Sequence, residues 1–310
     1  MSDPKVIFAG TPDFALRCLE ALVDLGRVPV AVLTQPDRPA GRGRRLTESP
    51  VKHYAKARRI RILQPRSLRA ADVQDGLKAL EPDIMIVAAY GLLLPQSVLD
   101  IPRRGCLNVH ASLLPRWRGA APIQAAILAG DTRTGVSLMA MTAGLDCGPV
   151  YIRESVSIGV DETAGQLHDR LATLGCELLV RNLDSILDGK LSPEEQDEAL
   201  ATYAHKIRRD DAALDWHRSA IELERCIRAY NPAPGAYFDL DGIAIKCWQA
   251  VVSGSVDAPP GTVVAAGAEG IVVSCGDGSL KLESLQRPGK RAVTAREFAA
   301  QVDLTGRRLR

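Results

Sequence analysis

The stretch Ile84-Met85-Ile86-Val87-Ala88 is an unbroken apolar run, opened by Pro82-Asp83 and left at Tyr90-Gly91. A run this short, with β-branched residues in it, reads as a strand buried on both faces. Such strands belong to parallel sheets that helices cover on either side. Upstream the pattern repeats. Residues 5–9 (KVIFA) read as a strand turning at Gly10-Thr11-Pro12, and Phe14, Ala15, Leu19, Leu22 and Val23 follow at helical spacing. Residues 28–34 read as a second strand, 51–58 as a helix, 60–63 as a third strand and 70–80 as a helix. Downstream, residues 105–110 read as a strand, 121–128 as a helix and 135–141 as one more strand. Strands alternating with helices predict an α/β fold built on a parallel sheet.

Residues 162–188 carry a long helical periodicity in Leu167, Leu171, Leu174, Leu178, Leu183 and Leu187, which Gly189 terminates. A first domain over residues 1–189 follows. Residues 190–206 hold Pro193, many polar side chains and little periodicity, and read as a linker. From 207 to 310 the character changes. Ala220–Ala229 is an amphipathic helix that stops at Asn231-Pro232, and short strands follow at 236–240, 243–252, 261–265, 270–274 and 279–285. Asp241-Gly242 and Asp277-Gly278 are hairpin signals. Short strands in this number beside a single helix predict a small β-barrel, OB-like in scale.

A chain of 310 residues exceeds one ordinary core and suits two domains. The formal net charge of +2 gives no large basic field, so local clusters would have to hold any nucleic acid. The seven cysteines are odd in number, irregular in spacing and without a C-x-x-C pair, which argues against a disulfide framework and a zinc site. The histidines show neither H-E-x-x-H nor H-x-x-E-H spacing, and no metal is expected. Free thiols in apolar runs point to a reducing compartment. With no signal-like N-terminal segment and no apolar run of spanning length, a cytoplasmic protein is expected.

Ligands of an open parallel sheet bind beyond the carboxyl ends of its strands. The strand at 105–110 ends in Asn108-Val109-His110, and alternation puts Asn108 and His110 on one face at that edge. Ala111-Ser112-Leu113-Leu114-Pro115 follows as a small apolar turn, suited to wall a flat organic ligand. Further on, Gly144-Leu145-Asp146-Cys147-Gly148 brackets one acid between two glycines. Taken singly, a His at a strand end is commonly a surface residue, and Asn and Asp are turn formers. Together they match acyl transfer to an amine. A carboxamide stabilises an oxyanion, a His donates a hydrogen bond or moves a proton, and a carboxylate orients the His or relays the proton. No G-x-S-x-G elbow and no cysteine in a basic, helix-N-terminal setting competes as nucleophile, so direct amine attack is the economical route.

The strings FAGTPDFA (8–15), TQPDRPAGRG (34–43), NVHASLLPRWRGAAPIQ (108–124), GLDCG (144–148) and LERCIRAYNPAPGAY (223–237) closely resemble the methionyl-tRNA formyltransferase family. The resemblance spans nearly the whole chain, and its central string is long enough to be specific. It implies a Rossmann-like formyl-transfer domain, and formyl transfer from 10-formyltetrahydrofolate to the α-amino group of methionine on the initiator tRNA. By the same resemblance Asn108, His110 and Asp146 are catalytic, while Ser112, Leu113, Leu114 and Pro115 bind the folate. A monomer is also implied. Cys147 and Pro149 depart from the family's common Thr and polar residue, which touches loop detail more than chemistry.

Arg38, Arg42, Arg44 and Arg45 fall within eight residues spaced by Gly and Pro, and read as a mobile cationic loop. Arginine neutralises phosphate and forks onto base edges, and this loop leaves a strand's carboxyl end on the same edge as His110. Lys206 and Arg208 in the linker region are further candidate RNA contacts, as are Arg209, Arg287, Lys290 and Arg291. Phe14 lies near the same edge, where its ring could meet a methionine side chain, though its helical position also fits ordinary core packing. A formyltetrahydrofolate hydrolase, or a formyltransferase acting on a small amine, would share the Asn–His–Asp set without needing an RNA grip. A nicotinamide dehydrogenase would need G-x-G-x-x-G, which is absent at Gly10. A non-enzymatic RNA adaptor would leave the three polar residues unexplained.

Overall fold

The alternation read from the sequence becomes, in the computed structural model, one seven-stranded sheet with helices. The structure describes residues 3–40 and 45–310, with Ala40 and Arg45 described in backbone only. In chain order the strands up to residue 204 are β1 (Val6–Gly10), β2 (Ala31–Leu33), β3 (Arg38–Ala40), β4 (Arg45–Thr47), β5 (Ile62–Leu63), β6 (Ile84–Ala88), β7 (Cys106–His110), β8 (Arg118–Gly119), β9 (Arg133–Ala140), β10 (Val150–Ser157) and β11 (Tyr203–Ala204). The helices are α1 (Asp13–Asp24), α2 (Pro50–Ala57), α3 (Ala71–Lys78), α4 (Gln96–Leu99), α5 (Pro122–Ala129) and α6 (Ala164–Leu187). Two compact units result. Met1–Pro122, Thr134–Val156 and His168–Ala204 form one, and Ile123–Arg133, Ser157–Leu167 and His205–Arg310 form the other.

The large sheet runs β10-β9-β7-β6-β1-β2-β5. β1, β6 and β7 are buried along their whole length, β1 and β6 as apolar runs and β7 with Asn108 and His110 among its buried residues. Ile7, Ala9, Met85 and Val87 point to one face, where Leu77, Leu94 and Val98 complete a core. The pairs β1–β2, β2–β5, β1–β6 and β6–β7 are parallel. Strand order reverses between β1 and β6, so the crevice beyond their carboxyl ends is the switch point where such sheets hold ligands. Its floor is cross-linked. Thr11 Oγ1 donates to the Tyr90 carbonyl at 3.0 Å, and Gln35 Nε2 donates to the same carbonyl at 3.0 Å.

Two features depart from the reading of the sequence. β9 runs antiparallel to β7, with Leu107 opposite Ala140 and His110 opposite Ser137. The chain therefore re-enters the sheet at the edge where β7 left it. A strand–helix–strand spacing looks the same for a return as for a crossover, which is why alternation alone suggests parallel. The second feature is β10. Its residues VYIRESVS are half exposed at the sheet's edge, and so carry no clean apolar signal.

The second unit adds α7 (Ala220–Ala229), β12 (Tyr237–Leu240), β13 (Ile243–Ser253), β14 (Val263–Gly267), β15 (Gly270–Ser274), β16 (Ser279–Gln286), β17 (Ala292–Thr294) and α8 (Ala295–Ala299). Ser219 caps α7 in a reciprocal box with Glu222. The strands form an antiparallel sheet in the order β12-β13-β16-β15-β14, with β17 on β16. Register shifts between Cys247 and Ala250 curl the long strand β13. The sheet is an OB-like half-barrel around Phe238, Ile245, Val263, Ile271, Leu282 and Phe298.

No strand signal lies beyond residue 285, yet the last residues fill the gap between the sheet's two ends. Val263 N–H donates to the Arg307 carbonyl at 2.8 Å, Leu309 N–H to the Gly261 carbonyl at 2.8 Å, and Arg310 N–H to the Asp239 carbonyl at 3.2 Å. Leu309 is buried in the barrel core. Replacing Leu309 by alanine should therefore lower the unfolding free energy by about 2–5 kcal/mol. A fall in the urea midpoint of tryptophan fluorescence would report it, and an unchanged midpoint would mean the tail does not close the sheet.

Candidate active site

Strand β7 delivers Asn108 and His110 to the carboxyl edge, 8% and 7% exposed respectively. The loop after β9 brings Asp146 to meet them. Asn108 Nδ2 lies 3.5 Å from Asp146 Oδ1, and His110 Nδ1 lies 3.6 Å from Asp146 Oδ2. His110 Nε2 sits 3.1 Å from the Trp117 carbonyl oxygen. A carbonyl only accepts, so Nε2 carries the proton and Nδ1 faces the carboxylate. Gly119 N–H donates to Asp146 Oδ2 at 2.8 Å and fixes the carboxylate's direction. Trp117 and Asp146 both adopt the left-handed region, at φ 62° and φ 49°. Non-glycine residues held there cluster where surrounding contacts impose the geometry.

Those contacts come from a segment whose composition reads as a linker. Gln196 Nε2 donates to the carbonyls of Asp146 at 2.8 Å and Gly148 at 2.7 Å. Its Oε1 accepts from Arg118 Nε at 3.0 Å. Arg118 is 1% exposed, and its other nitrogens fork onto Glu198 at 2.9 and 2.7 Å. The Arg118 guanidinium holds the Glu198 carboxyl below the usual range. β8 pairs with β11, Gly119 opposite Ala204, at φ 118° and so close that a Cβ would press on the Ala204 carbonyl. Gly119 thus has to be glycine for its N–H to reach Asp146. None of Trp117, Arg118, Gly119 or Gln196 stands out by spacing. The one signal is an arginine inside the otherwise well-read string around residue 118.

The turn after His110 is half turned inward. Ser112 is fully buried, donating its hydroxyl to the Arg116 carbonyl at 2.6 Å, and Ser137 Oγ donates to the Ser112 carbonyl at 2.7 Å. Leu114 packs with Met139 and Val150 in the interior, and Leu114-Pro115 is a cis peptide. Leu113 and Pro115 are half-buried. Phe14 is 5% exposed, its ring edge-on to His168 at 5.8 Å, so it is a core residue that a methionine contact would have to uncover.

The flanks of the arginine-rich segment are short paired strands. β3 and β4 pair antiparallel, Arg38 opposite Thr47 and Ala40 opposite Arg45. Lys52 Nζ, 2.6 Å from Asp37, and Gln64 Nε2, at 2.9 Å, anchor its base and hold the Asp37 carboxyl below its usual range. Arg38 is exposed, while Arg42 and Arg44 lie outside the described residues. Lys206 and Arg208 are exposed as well. In the second unit Arg209, Tyr237, Lys246 and Arg287 line a concavity of about 250 Å³. Arg209 lies over the Tyr237 ring at 5.9 Å and Lys246 over Trp248 at 4.9 Å.

Comparison with known proteins agrees with this geometry. Residues 5–183 match the formyl transferase family model, and residues 206–302 match the formyl transferase C-terminal domain model. A methionyl-tRNA formyltransferase of Pseudomonas putida (strain GB-1) is 53% identical over 290 residues, covering 94% of this chain and 93% of the relative. One from Methylococcus capsulatus (strain ATCC 33009 / NCIMB 11132 / Bath) is 50% identical over 306 residues, covering 98% and 99%. Among solved structures, an N-formyltransferase from Helicobacter canadensis, in complex with folinic acid and dTDP-3-aminofucose, superposes with a TM-score of 0.66 at 18% identity. That match covers 92% of this chain and 99% of the other, and carries the fold. The chain belongs to the formyl transferases, and among them to the methionyl-tRNA formyltransferase family.

Proposed function

We propose that this chain transfers the formyl group of 10-formyltetrahydrofolate to the α-amino group of methionyl initiator tRNA, giving N-formylmethionyl-tRNA. The observation that carries this reading is near-full-length identity of about half to relatives of that name, with Asn108, His110 and Asp146 converging at the sheet edge.

The chemistry follows from donors and acceptors. Among the described residues Asp146 is the one partner of the Asn108 amide, which leaves its other N–H for the formyl oxygen. That hydrogen bond strengthens as the oxygen gains charge, which lowers the barrier. We assign the proton the amine loses to His110 Nδ1, the ring nitrogen that the Trp117 carbonyl does not engage. Asp146 stands 3.6 Å from that nitrogen and stabilises the imidazolium until its proton passes to N10 of the folate, as the bond from N10 to the formyl carbon breaks and tetrahydrofolate leaves. Leu113, Pro115 and the backbone of 112–115 wall the folate, and the buried Ser112 and Leu114 hold that wall in shape. The folate is consumed in each turnover and is a co-substrate.

For the RNA we assign Arg38, Arg42, Arg44, Arg45, Lys206 and Arg208 to phosphate contacts, and residues 207–310 to tRNA binding beside the catalytic residues 1–189. Cations beside aromatic rings at Arg209–Tyr237 and Lys246–Trp248 support an RNA-facing barrel. The test is formylation of initiator against elongator methionyl-tRNA with 10-formyltetrahydrofolate. The expected result is product on the initiator, with tetrahydrofolate released in equal amount. Folate release without tRNA product would favour a hydrolase instead. Alanine at Arg38, Arg42, Arg44 and Arg45 together should weaken tRNA binding and flatten its salt dependence while folate binding stays within about twofold.

A further inference from the structure

We propose that Gln196 is a positioning residue for formyl transfer, holding the Asp146 loop by its backbone, with Arg118 and Glu198 fixing the amide that does so. Gln196 lies 50 positions from Asp146 in sequence and is 7% exposed. Both N–H groups and the oxygen of its side-chain amide are engaged. Two N–H donors meet two carbonyls, and Oε1 meets the Nε–H of Arg118. A flipped amide would set oxygen against both carbonyls and N–H against N–H, so the orientation follows from the partners alone. Arg118 cannot turn either, because its fork is closed on Glu198.

The consequence reaches the chemistry through one residue. Asp146 stands in the left-handed region with its carbonyl on Gln196 and its carboxylate on Gly119. Holding the carbonyl sets the direction of the side chain that faces Asn108 and His110. Gln196 touches neither reacting group. It acts before substrate arrives, by keeping the carboxylate where the imidazolium will form.

The inference rests on the formyl-transfer reading, and its test separates the two. Gln196→Met keeps the side chain's length and removes its three side-chain hydrogen bonds. The expected result is a fall in kcat of about 10-fold or more with KM for tRNA and folate within about threefold. Without any folate, hydrogen exchange over residues 141–149 should quicken at least about 10-fold while β6 stays protected. Gln196→Glu supplies a second readout, and serves if the Met variant does not fold. Ionised, it sets charge against both carbonyls; protonated, it restores one donor. Its activity relative to the wild type should therefore rise as pH falls through the carboxyl range. A folded Gln196→Met with kcat within twofold and unchanged exchange would overturn the proposal, as would a flat pH ratio for Gln196→Glu. If the wild type releases tetrahydrofolate but formylates no tRNA, the function reading fails, and the exchange measurement still decides the role of Gln196.

Discussion

Asn108→Ala is expected to lower kcat for formyl transfer by about 10²–10³-fold, the loss typical of removing one oxyanion donor from a water-poor site. The size follows from where the amide sits. Asn108 is nearly buried on β7, its one partner among the described residues is Asp146, and its other N–H would serve the oxygen that gains charge. Because that bond strengthens toward the transition state, folate dissociation should change by no more than about threefold, and the loss should appear in kcat. Asn108→Asp should be worse than alanine. It exchanges the donor for a second carboxylate at the position of an atom now 3.5 Å from Asp146 Oδ1, so repulsion adds to the missing hydrogen bond. Single-turnover formylation and folate titration of both variants measure the two quantities separately. An Asn108→Ala enzyme within about threefold of wild type would remove Asn108 from the reaction.

The sequence reached β7 and its two polar residues because buried strands advertise themselves locally. An apolar run sets the strand, and a period of two sets which residues share a face. The same rule found β1 and β6, and through them the edge of the sheet that faces ligands. It failed where the information is not local. The antiparallel course of β9 is a property of the connection from His110 to Arg133, and short runs of residues do not encode it. The Arg307–Arg310 tail closes the barrel with backbone hydrogen bonds that any residue but proline could make, so no side-chain pattern marks it. Gln196 and Arg118 were hidden for a third reason. Each has a polar side chain that composition assigns to the surface, and only their mutual pairing makes burial affordable.

The glycines of the Asp146 loop show the difference between reading a motif and reading its cause. From sequence, Gly144 and Gly148 look equivalent, two small residues that let the backbone turn around an acid. In the fold they are not equivalent. A Cβ on Gly148 would overlap the carbonyl oxygen of Ala140, a backbone atom at the end of β9. On Gly144 it would meet the thiol of Cys147, a side chain. Neither glycine lies in the positive-φ region that disfavours alanine. Were backbone freedom the only issue, Gly148→Ala would stabilise the protein by about 0.4–1 kcal/mol by restricting the unfolded chain. The overlap has the opposite sign and is larger, about 1–3 kcal/mol for an overpacked site. Gly148→Ala should therefore be destabilised overall. Relief requires the loop to move by about 1 Å, which displaces the Gly148 carbonyl from Gln196 and Asp146 with it, and a shift of that size reduces kcat by about 10²-fold. Gly144→Ala should be milder on both counts, because the Cys147 side chain, paired at 3.4 Å with Thr142 Oγ1, can rotate away. Urea midpoints and kcat for the two variants decide the matter. If Gly148→Ala proves the more stable and keeps full activity, the close approach to β9 is not what requires glycine there.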